Sequence, residues 1–173
     1  MPTTRRGVWD LQQVRDQYLA GEWELNNQLW SWGTNSNAQL GQNNTTPYSS
    51  PVQVPGTTWS SITGSIIHSL ATKTDGTLWA WGSGANGRMG QNDTVQYSSP
   101  VQIPGTTWSS ISGSSQSSLG TKTDGTLWSW GANGSGQLGQ NAVANRSSPV
   151  QIPGTIWSPG STGSLFSTAI KIV

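Results

Sequence analysis

Residues 76–90 read G-T-L-W-A-W-G-S-G-A-N-G-R-M-G, and this stretch decides the fold because its pieces recur at a fixed interval. Trp79, Trp81 and Gly90 each have counterparts 49 residues earlier and 49 residues later. Nine of the eleven tryptophans occupy three sites of this repeat: Trp30, Trp32, Trp59, Trp79, Trp81, Trp108, Trp128, Trp130 and Trp157. Self-similarity at such a period indicates a repeat architecture, in which each unit buries its surface against its neighbours.

Each repeat carries signals for short strands joined by tight turns. Residues 78–81 alternate in side-chain character, and Val101 and Ile103 flank Gln102 in the same way. Alternation of this kind is typical of a strand with one buried face. The Asp75-Gly76 pair predicts a tight hairpin turn, because both residue types tolerate positive φ. We count four short strands in each repeat.

Four-stranded units of 40 to 50 residues are typical of β-propeller blades. We therefore expect a mainly β fold with three four-stranded blade repeats in residues 27–173. The expected repeats span about 27–75, 76–124 and 125–173. A blade of this size cannot bury both of its faces alone, so the nine repeated tryptophans are predicted to pack between blades.

The repeat resembles that of the regulator-of-chromosome-condensation family. The matching pieces are L-W-S-W-G-A-N-G-S-G-Q-L-G at 127–139, S-S-P-V-Q-I-P-G at 98–105, and H-S-L-A-T-K-T-D-G at 68–76. The resemblance covers about residues 27–173 and implies a β-propeller. The best-known member of that family has seven blades and is a guanine-nucleotide exchange factor on chromatin. No matching functional residues are found in this sequence, so that activity is not expected here.

The two ends of the repeat region are complementary. A Leu-Trp strand at 29–32 has no predecessor, and the strand at 166–171 is not followed by the Asp-Gly turn and its partner strand. Three blades are fewer than the usual four to eight. We expect strand exchange between copies to close the ring, with a dimer favoured over a trimer. The alternative is a fragment of a longer chain that supplies more blades.

Residues 1–26 differ in composition, since they hold 7 of the 15 charged residues. Asp10 followed by Gln13 fits a capping box and predicts a short helix. Trp9, Leu11, Val14 and Tyr18 are its predicted anchor residues. The segment at 7–23, G-V-W-D-L-Q-Q-V-R-D-Q-Y-L-A-G-E-W, resembles short N-terminal segments of tailed-phage virion proteins. This resemblance implies attachment to a larger virion protein.

The overall charge argues against several classes of protein. Only 9% of the residues are charged and the net charge is +1, which does not suit a nucleic-acid binder. The sequence contains neither an apolar run of membrane-spanning length nor a signal-peptide core. We expect no membrane span and a location on a virion, or otherwise a soluble protein.

No residue set predicts catalysis, a cofactor or a metal. His68 is the single histidine, and its counterparts are Ser117 and Phe166, so a strand position near a packed edge is expected. The run 134–139 matches G-x-G-x-x-G, but no helix pattern follows it, as a dinucleotide site would require. Asp75 and Asp124 are interpreted as turn residues in different blades.

The leading functional hypothesis is a structural, non-enzymatic phage virion component, a fibre or decoration protein anchored by its N-terminus. The first alternative is a carbohydrate- or receptor-binding propeller module that uses the loops at 34–48, 83–97 and 132–146. The second is a fragment of an intracellular regulatory propeller that acts by protein–protein binding.

Overall fold

The computed structural model describes residues 27–172, which form an almost entirely β structure. The strands, in chain order, are β1 (Trp30–Gly33), β2 (Tyr48–Gln53), β3 (Trp59–Gly64), β4 (His68–Lys73), β5 (Leu78–Gly82), β6 (Tyr97–Ile103), β7 (Trp108–Gly113), β8 (Ser117–Lys122), β9 (Leu127–Gly131), β10 (Arg146–Ile152), β11 (Ser161–Thr162) and β12 (Ser167–Thr168). A single 3₁₀ turn spans Ala85–Gly87. The predicted N-terminal helix and its anchor residues lie outside the described residues.

The strands form two complete sheets and two half sheets. One antiparallel sheet has the order β3-β4-β5-β6, and the next has the order β7-β8-β9-β10. β1 pairs only with β2, and β11 pairs only with β12. A further bridge between Trp157 and Lys171 extends the second half sheet. The expected four-stranded antiparallel sheets are therefore present.

The sheets are out of phase with the repeat boundaries predicted from the sequence. The boundary at 75/76 falls in the hairpin between β4 and β5, and the boundary at 124/125 falls between β8 and β9. Each complete sheet thus takes two strands from one repeat and two from the next. The expectation of three complete blades is corrected to two complete sheets with a half sheet on either side, because a period fixes the length of a repeat but not its starting point.

The Asp-Gly turns inside the sheets are built from local hydrogen bonds. The Asp75 carboxylate accepts from the backbone N–H of Thr77 at 2.9 Å and from its hydroxyl at 2.7 Å. The Thr77 hydroxyl oxygen accepts in turn from the indole N–H of Trp79 at 2.9 Å. Gly76 has a φ of +76°, which favours glycine. The same arrangement recurs at Asp124, so these aspartates position the tryptophan that follows the turn.

The sheets stack face against face, as propeller blades do. β7 lies against β3 and β4, and β11 lies against β7 and β8. The core between the two complete sheets contains Leu70, Leu78, Ala80, Met89, Ile103, Trp108 and Trp130. A second core contains Val54, Trp59, Ala71 and Trp81, and it joins the first half sheet to the first complete sheet. These apolar residues are therefore buried by the neighbouring sheets in the stack.

Candidate functional site

The first two interfaces between consecutive sheets each hold one tryptophan in a slot formed by a loop of the preceding sheet. The indole N–H of Trp81 donates to the backbone oxygen of Gln39 at 2.8 Å, and the Ser69 hydroxyl donates to the same oxygen at 2.9 Å. A Cβ added to Gly41 would lie 3.0 Å from the indole nitrogen, so the loop approaches the ring closely. Glycine is what allows this approach. The loop and the ring therefore lock the two sheets together.

The next interface repeats this slot one repeat further along. The indole N–H of Trp130 donates to the backbone oxygen of Arg88 at 2.9 Å, and the Ser118 hydroxyl donates to it at 3.1 Å. A Cβ on Gly90 would lie 3.1 Å from the same indole nitrogen. Trp81 and Trp130 are 1% and 0% exposed, so both rings are enclosed. The loop residue can be Gln or Arg because its backbone oxygen does the binding.

The tryptophans also meet in groups of three, which we call triads. In the first triad the Trp59 ring centroid lies 6.2 Å from that of Trp79 and 5.9 Å from that of Trp81, both edge to face. The ammonium of Lys73 lies 4.9 Å from the Trp59 centroid and 4.5 Å from the Trp79 centroid. Edge-to-face rings and a cation over ring faces are both favourable arrangements.

The second triad has nearly the same dimensions. The Trp108 ring centroid lies 6.3 Å from that of Trp128 and 5.8 Å from that of Trp130. Lys122 places its ammonium 4.9 Å from the Trp108 centroid and 4.5 Å from the Trp128 centroid. The triad with its lysine is therefore a unit of the fold that recurs with the repeat.

The third triad is divided between the two half sheets. Trp30 and Trp32 lie on β1 and are 47% and 60% exposed, although the sequence analysis expects them between blades. They are exposed because, among residues 27–172, only β2 pairs with β1, so its other edge is free. We call residues 29–33 the Trp32 edge.

The opposite side of the stack also exposes apolar side chains next to a free strand. Leu165, Phe166 and Ile170 are 60%, 62% and 69% exposed, and they flank or follow β12. We call residues 165–172 the Phe166 edge. A cavity of about 290 Å³ opens there, and its lining includes Gln137, Gly139 and Ile152. Trp157, the remaining member of the third triad, lines the same cavity.

His68 lies inside the stack and joins the two complete sheets. Its Nδ1 lies 2.7 Å from the Ser65 hydroxyl and its Nε2 lies 3.1 Å from the Ser118 hydroxyl, across the interface. Burial lowers the pKa of His68 to about 3, and the charge of Arg88 adds to the shift. The imidazole ring is therefore neutral at physiological pH, and its two nitrogens form hydrogen bonds with the hydroxyls of Ser65 and Ser118.

The Arg88 guanidinium binds two backbone oxygens and forms no salt bridge with a carboxylate among residues 27–172. Its Nε donates to the backbone oxygen of Ala85 at 2.7 Å, and its Nη1 donates to that of Ser115 at 2.8 Å. Burial lowers its pKa. Within residues 27–172, no three His, Cys, Asp or Glu residues group in a way that could hold a metal ion.

The loops predicted to bind sugars use several of their amides internally. Asn35 is fully buried, and its Nδ2 donates to the backbone oxygens of Asn44 and Thr46, both at 3.0 Å. Asn133 makes the equivalent bonds to Ala142 and Ala144 at 2.7 and 3.1 Å. Sequence reasoning missed these two residues, although the return of Asn 98 positions later was a signal for them. They hold the loops that form the tryptophan slots.

The comparisons with known proteins agree with this geometry. The sequence profile described as Regulator of chromosome condensation (RCC1) repeat matches residues 26–71, 75–120 and 124–167. The chain belongs to the RCC1 repeat family. A second profile of the same RCC1 repeat matches residues 108–137. No curated protein matches this RCC1-repeat chain in sequence.

Solved structures of RCC1-type proteins share the fold of this RCC1-repeat chain. Human WBSCR16 is 20% identical with a TM-score of 0.72, covering 86% of this chain and 41% of that one. Prp20p from Saccharomyces cerevisiae is 20% identical with a TM-score of 0.72, covering 85% and 40%. Yeast RCC1 (Prp20) bound to Kap60 is 20% identical with a TM-score of 0.70, covering 84% and 39%. The chain thus spans about two fifths of the length of these proteins.

One structural finding concerns membranes. No helix of residues 27–172 is long and apolar enough to cross a bilayer.

Proposed function

We propose that this chain is a protein-binding repeat module that acts by binding and not by catalysis. Its binding surfaces are the Trp32 edge and the Phe166 edge. The observation that carries the proposal is the contrast between Trp32, which is 60% exposed, and its buried counterparts Trp81 and Trp130. The tryptophan at this position of the repeat is buried in two copies, at Trp81 and Trp130, and exposed to solvent in one, at Trp32.

The chemistry of the two edges suits the recognition of polypeptides. Within the part of the chain that the structure describes, each edge combines a strand that lacks a partner on one side with large apolar side chains. An added strand supplies main-chain hydrogen bonds, and pockets for its alternate side chains supply specificity. Tryptophan is also enriched among the residues that dominate binding energy at protein interfaces. A polypeptide bound at either edge would bury these side chains and form hydrogen bonds with the unpaired backbone groups of the strand.

The structural neighbours support a role in protein binding. Prp20p is described together with its binding properties to Gsp1p and histones, and yeast RCC1 is seen bound to Kap60. At 20% identity these partners are not carried over to this chain. What carries over is the mode of action, in which a rigid stack of blades presents a surface to another protein.

The other hypotheses from the sequence receive less support. Neither the family match nor the structural neighbours supports a virion component, and the proposed anchor lies outside the described residues. The side-chain amides of Asn35 and Asn133 are buried and bind backbone oxygens of their own loops, so they are not accessible to a glycan. This argues against a glycan-binding role for these loops. Protein binding is therefore the function that we carry forward.

A capture experiment with four versions of the full chain tests the proposal. Wild type, Trp32→Ser, Phe166→Ser and Ile66→Ser are immobilised and exposed to an extract of the source cells, and the bound proteins, including copies of the chain itself, are identified. Ile66 is 72% exposed and lies on neither edge, so its variant is the matched control. We expect wild type and Ile66→Ser to retain the same proteins, and both edge variants to lose them. Identical binding by all four versions would contradict the proposal, as would no binding at all.

A further inference from the structure

We propose that the two edges bind each other between two copies of this chain, so that two chains form one closed ring of six blades. The inference rests on the proposed function and names the partner as a second copy. Each half sheet of one copy would complete the opposite half sheet of the other. The two occupied tryptophan slots within the chain show what each edge lacks.

The strand pairing inside the complete sheets defines the register of the junction. In the first sheet Ser69 pairs with Trp81, and in the second Ser118 pairs with Trp130. The next serine in this series is Ser167 on β12, and the only tryptophan of the series left exposed is Trp32 on β1. The structure assigns Ser167 to pair with Trp32 of the second copy. The half sheets β11-β12 and β1-β2 then form one four-stranded sheet.

The cavity at the Phe166 edge is a tryptophan slot without its tryptophan. Its lining includes Gln137, Gly139 and Ile152. Gln137 is the counterpart of Arg88, whose oxygen binds the Trp130 indole, and Gly139 is the counterpart of Gly90. Among residues 27–172, no hydrogen bond reaches the backbone oxygen of Gln137, whereas the oxygens of Gln39 and Arg88 each accept two. Trp32 of the second copy brings the missing indole N–H.

The third triad, which is divided between the two half sheets, also indicates that the Phe166 edge binds the Trp32 edge of a second copy. Trp157 has the place in its repeat that Trp108 has in the previous one, but among residues 27–172 no other ring lies edge to face with it, whereas Trp59 and Trp108 each meet two. The Lys171 ammonium lies 5.6 Å from the Trp157 ring centroid, and no second ring lies beside it. Trp30 and Trp32 of the second copy are the two rings that complete the triad.

The loops supply one further match. The Asn43 N–H donates to the backbone oxygen of Ser98 at 2.8 Å, and the Asn92 N–H donates to that of Ser147 at 2.8 Å. Asn141 follows in this series, with the same left-handed backbone as Asn43 and Asn92. Its counterpart acceptor is Ser49, which lies on β2 next to the Trp32 edge. The junction between copies therefore repeats the loop hydrogen bonds that Asn43 and Asn92 make within the chain.

The number of blades favours two copies. Two chains give four complete sheets and two joined ones, which is within the range of four to eight blades found in propellers. Three chains would give nine, above that range, and one chain closed on itself would give three, below it. Closure also removes the exposed strand edges, which otherwise invite aggregation.

The mass of the full chain in solution tests the ring directly. One chain weighs 18.4 kDa, so wild type and the control Ile66→Ser should sediment with the mass of two chains. Trp32→Asp and Phe166→Asp should each sediment as single chains, because each variant damages both junctions of its ring. Circular dichroism and near-ultraviolet spectra like those of wild type show that the variants remain folded.

Mixing the two variants separates a head-to-tail junction from any other contact. In the mixed pair the intact Phe166 edge of one variant meets the intact Trp32 edge of the other, so one junction is undamaged. We expect the mixture to form a species of two chains that neither variant forms alone. A mixture that stays monomeric overturns the proposal, and so does a wild type with the mass of one chain or of three.

The outcomes also separate this proposal from the proposed function. A monomeric wild type that captures another protein through the same edges overturns the second copy as partner but upholds protein binding. A monomeric wild type whose edges capture nothing overturns both. Docking of residues 1–26 on an edge would likewise give a monomer and overturn the ring.

Discussion

The indole N–H of Trp130 donates to the backbone oxygen of Arg88 at 2.9 Å, and this bond ties the second complete sheet to a loop of the first. Trp130→Phe keeps an aromatic ring but removes the donor, so we expect a loss of about 1 kcal/mol of unfolding free energy. Trp130→Ala also empties the core and should cost about 3 to 5 kcal/mol. Urea unfolding at one fixed protein concentration measures both. Wild-type stability in Trp130→Phe would show that the bond contributes nothing.

Gly82 ends β5 with a φ of +109°, and a Cβ there would lie 2.6 Å from Cα of His68 and from the backbone oxygen of Ile67. Gly82→Ala therefore combines backbone strain with a steric clash, and we expect a loss of about 2 to 5 kcal/mol. Gly134→Ala is the matched control, since no atom lies within 4 Å of its added Cβ. Its unfolding free energy should stay within about 0.5 kcal/mol of wild type. Equal losses in the two variants would contradict the clash.

Lys122 places its ammonium over the rings of Trp108 and Trp128, at 4.9 and 4.5 Å from their centroids. Lys122→Met keeps the apolar stem but removes the cation, so we expect a loss of about 1 kcal/mol. Lys122→Arg retains a cation that stacks on aromatic rings and should lose less. Thermal unfolding of the three proteins side by side distinguishes the two variants. A cation–π role is wrong if Met and Arg have the same effect.

The buried ring of His68 makes stability depend on pH. Its folded pKa of about 3 lies below the ordinary histidine pKa of 6.5, so between these values the unfolded chain binds a proton that the folded chain does not. Stability should therefore fall as the pH drops from 6.5 towards 3, by up to about 1.4 kcal/mol per pH unit. His68→Ser introduces the residue found at Ser117 and should flatten this slope. Denaturant unfolding at pH 6.5, 5.5 and 4.5 measures it, and parallel curves would contradict the assignment.

From the acid end of this window downward, two aspartates add an acid sensitivity that wild type and His68→Ser share. Hydrogen bonds from Thr77 and Thr126 lower the pKa values of Asp75 and Asp124. A carboxylate with a lowered pKa contributes stability at higher pH and loses it as the pH falls through its titration. Comparing wild type with His68→Ser cancels this contribution.

The spacing of the tryptophans predicted the repetition of the sheets, and the alternation of side chains within each repeat predicted their β content. The spacing could not predict at which residue of the repeat each sheet begins, because Asp75-Gly76 has the sequence of a turn whether it lies inside one sheet or between two. It also could not reveal that the backbone oxygen of Arg88 binds Trp130, 42 residues further along the chain. Every residue carries a backbone oxygen, so the residue type does not show which of them accepts a hydrogen bond. Gly90 was nevertheless a sign that the loop approaches another part of the chain closely.

The offset between repeat and sheet has a consequence for how such chains change in evolution. Because each complete sheet takes its strands from two adjacent repeats, removing or duplicating the 49 residues that carry one complete sheet, such as 59–107, leaves the half sheets at either side unaltered. A lineage could therefore lengthen or shorten the array by whole units, and so alter the diameter of an assembly, without redesigning a single contact surface.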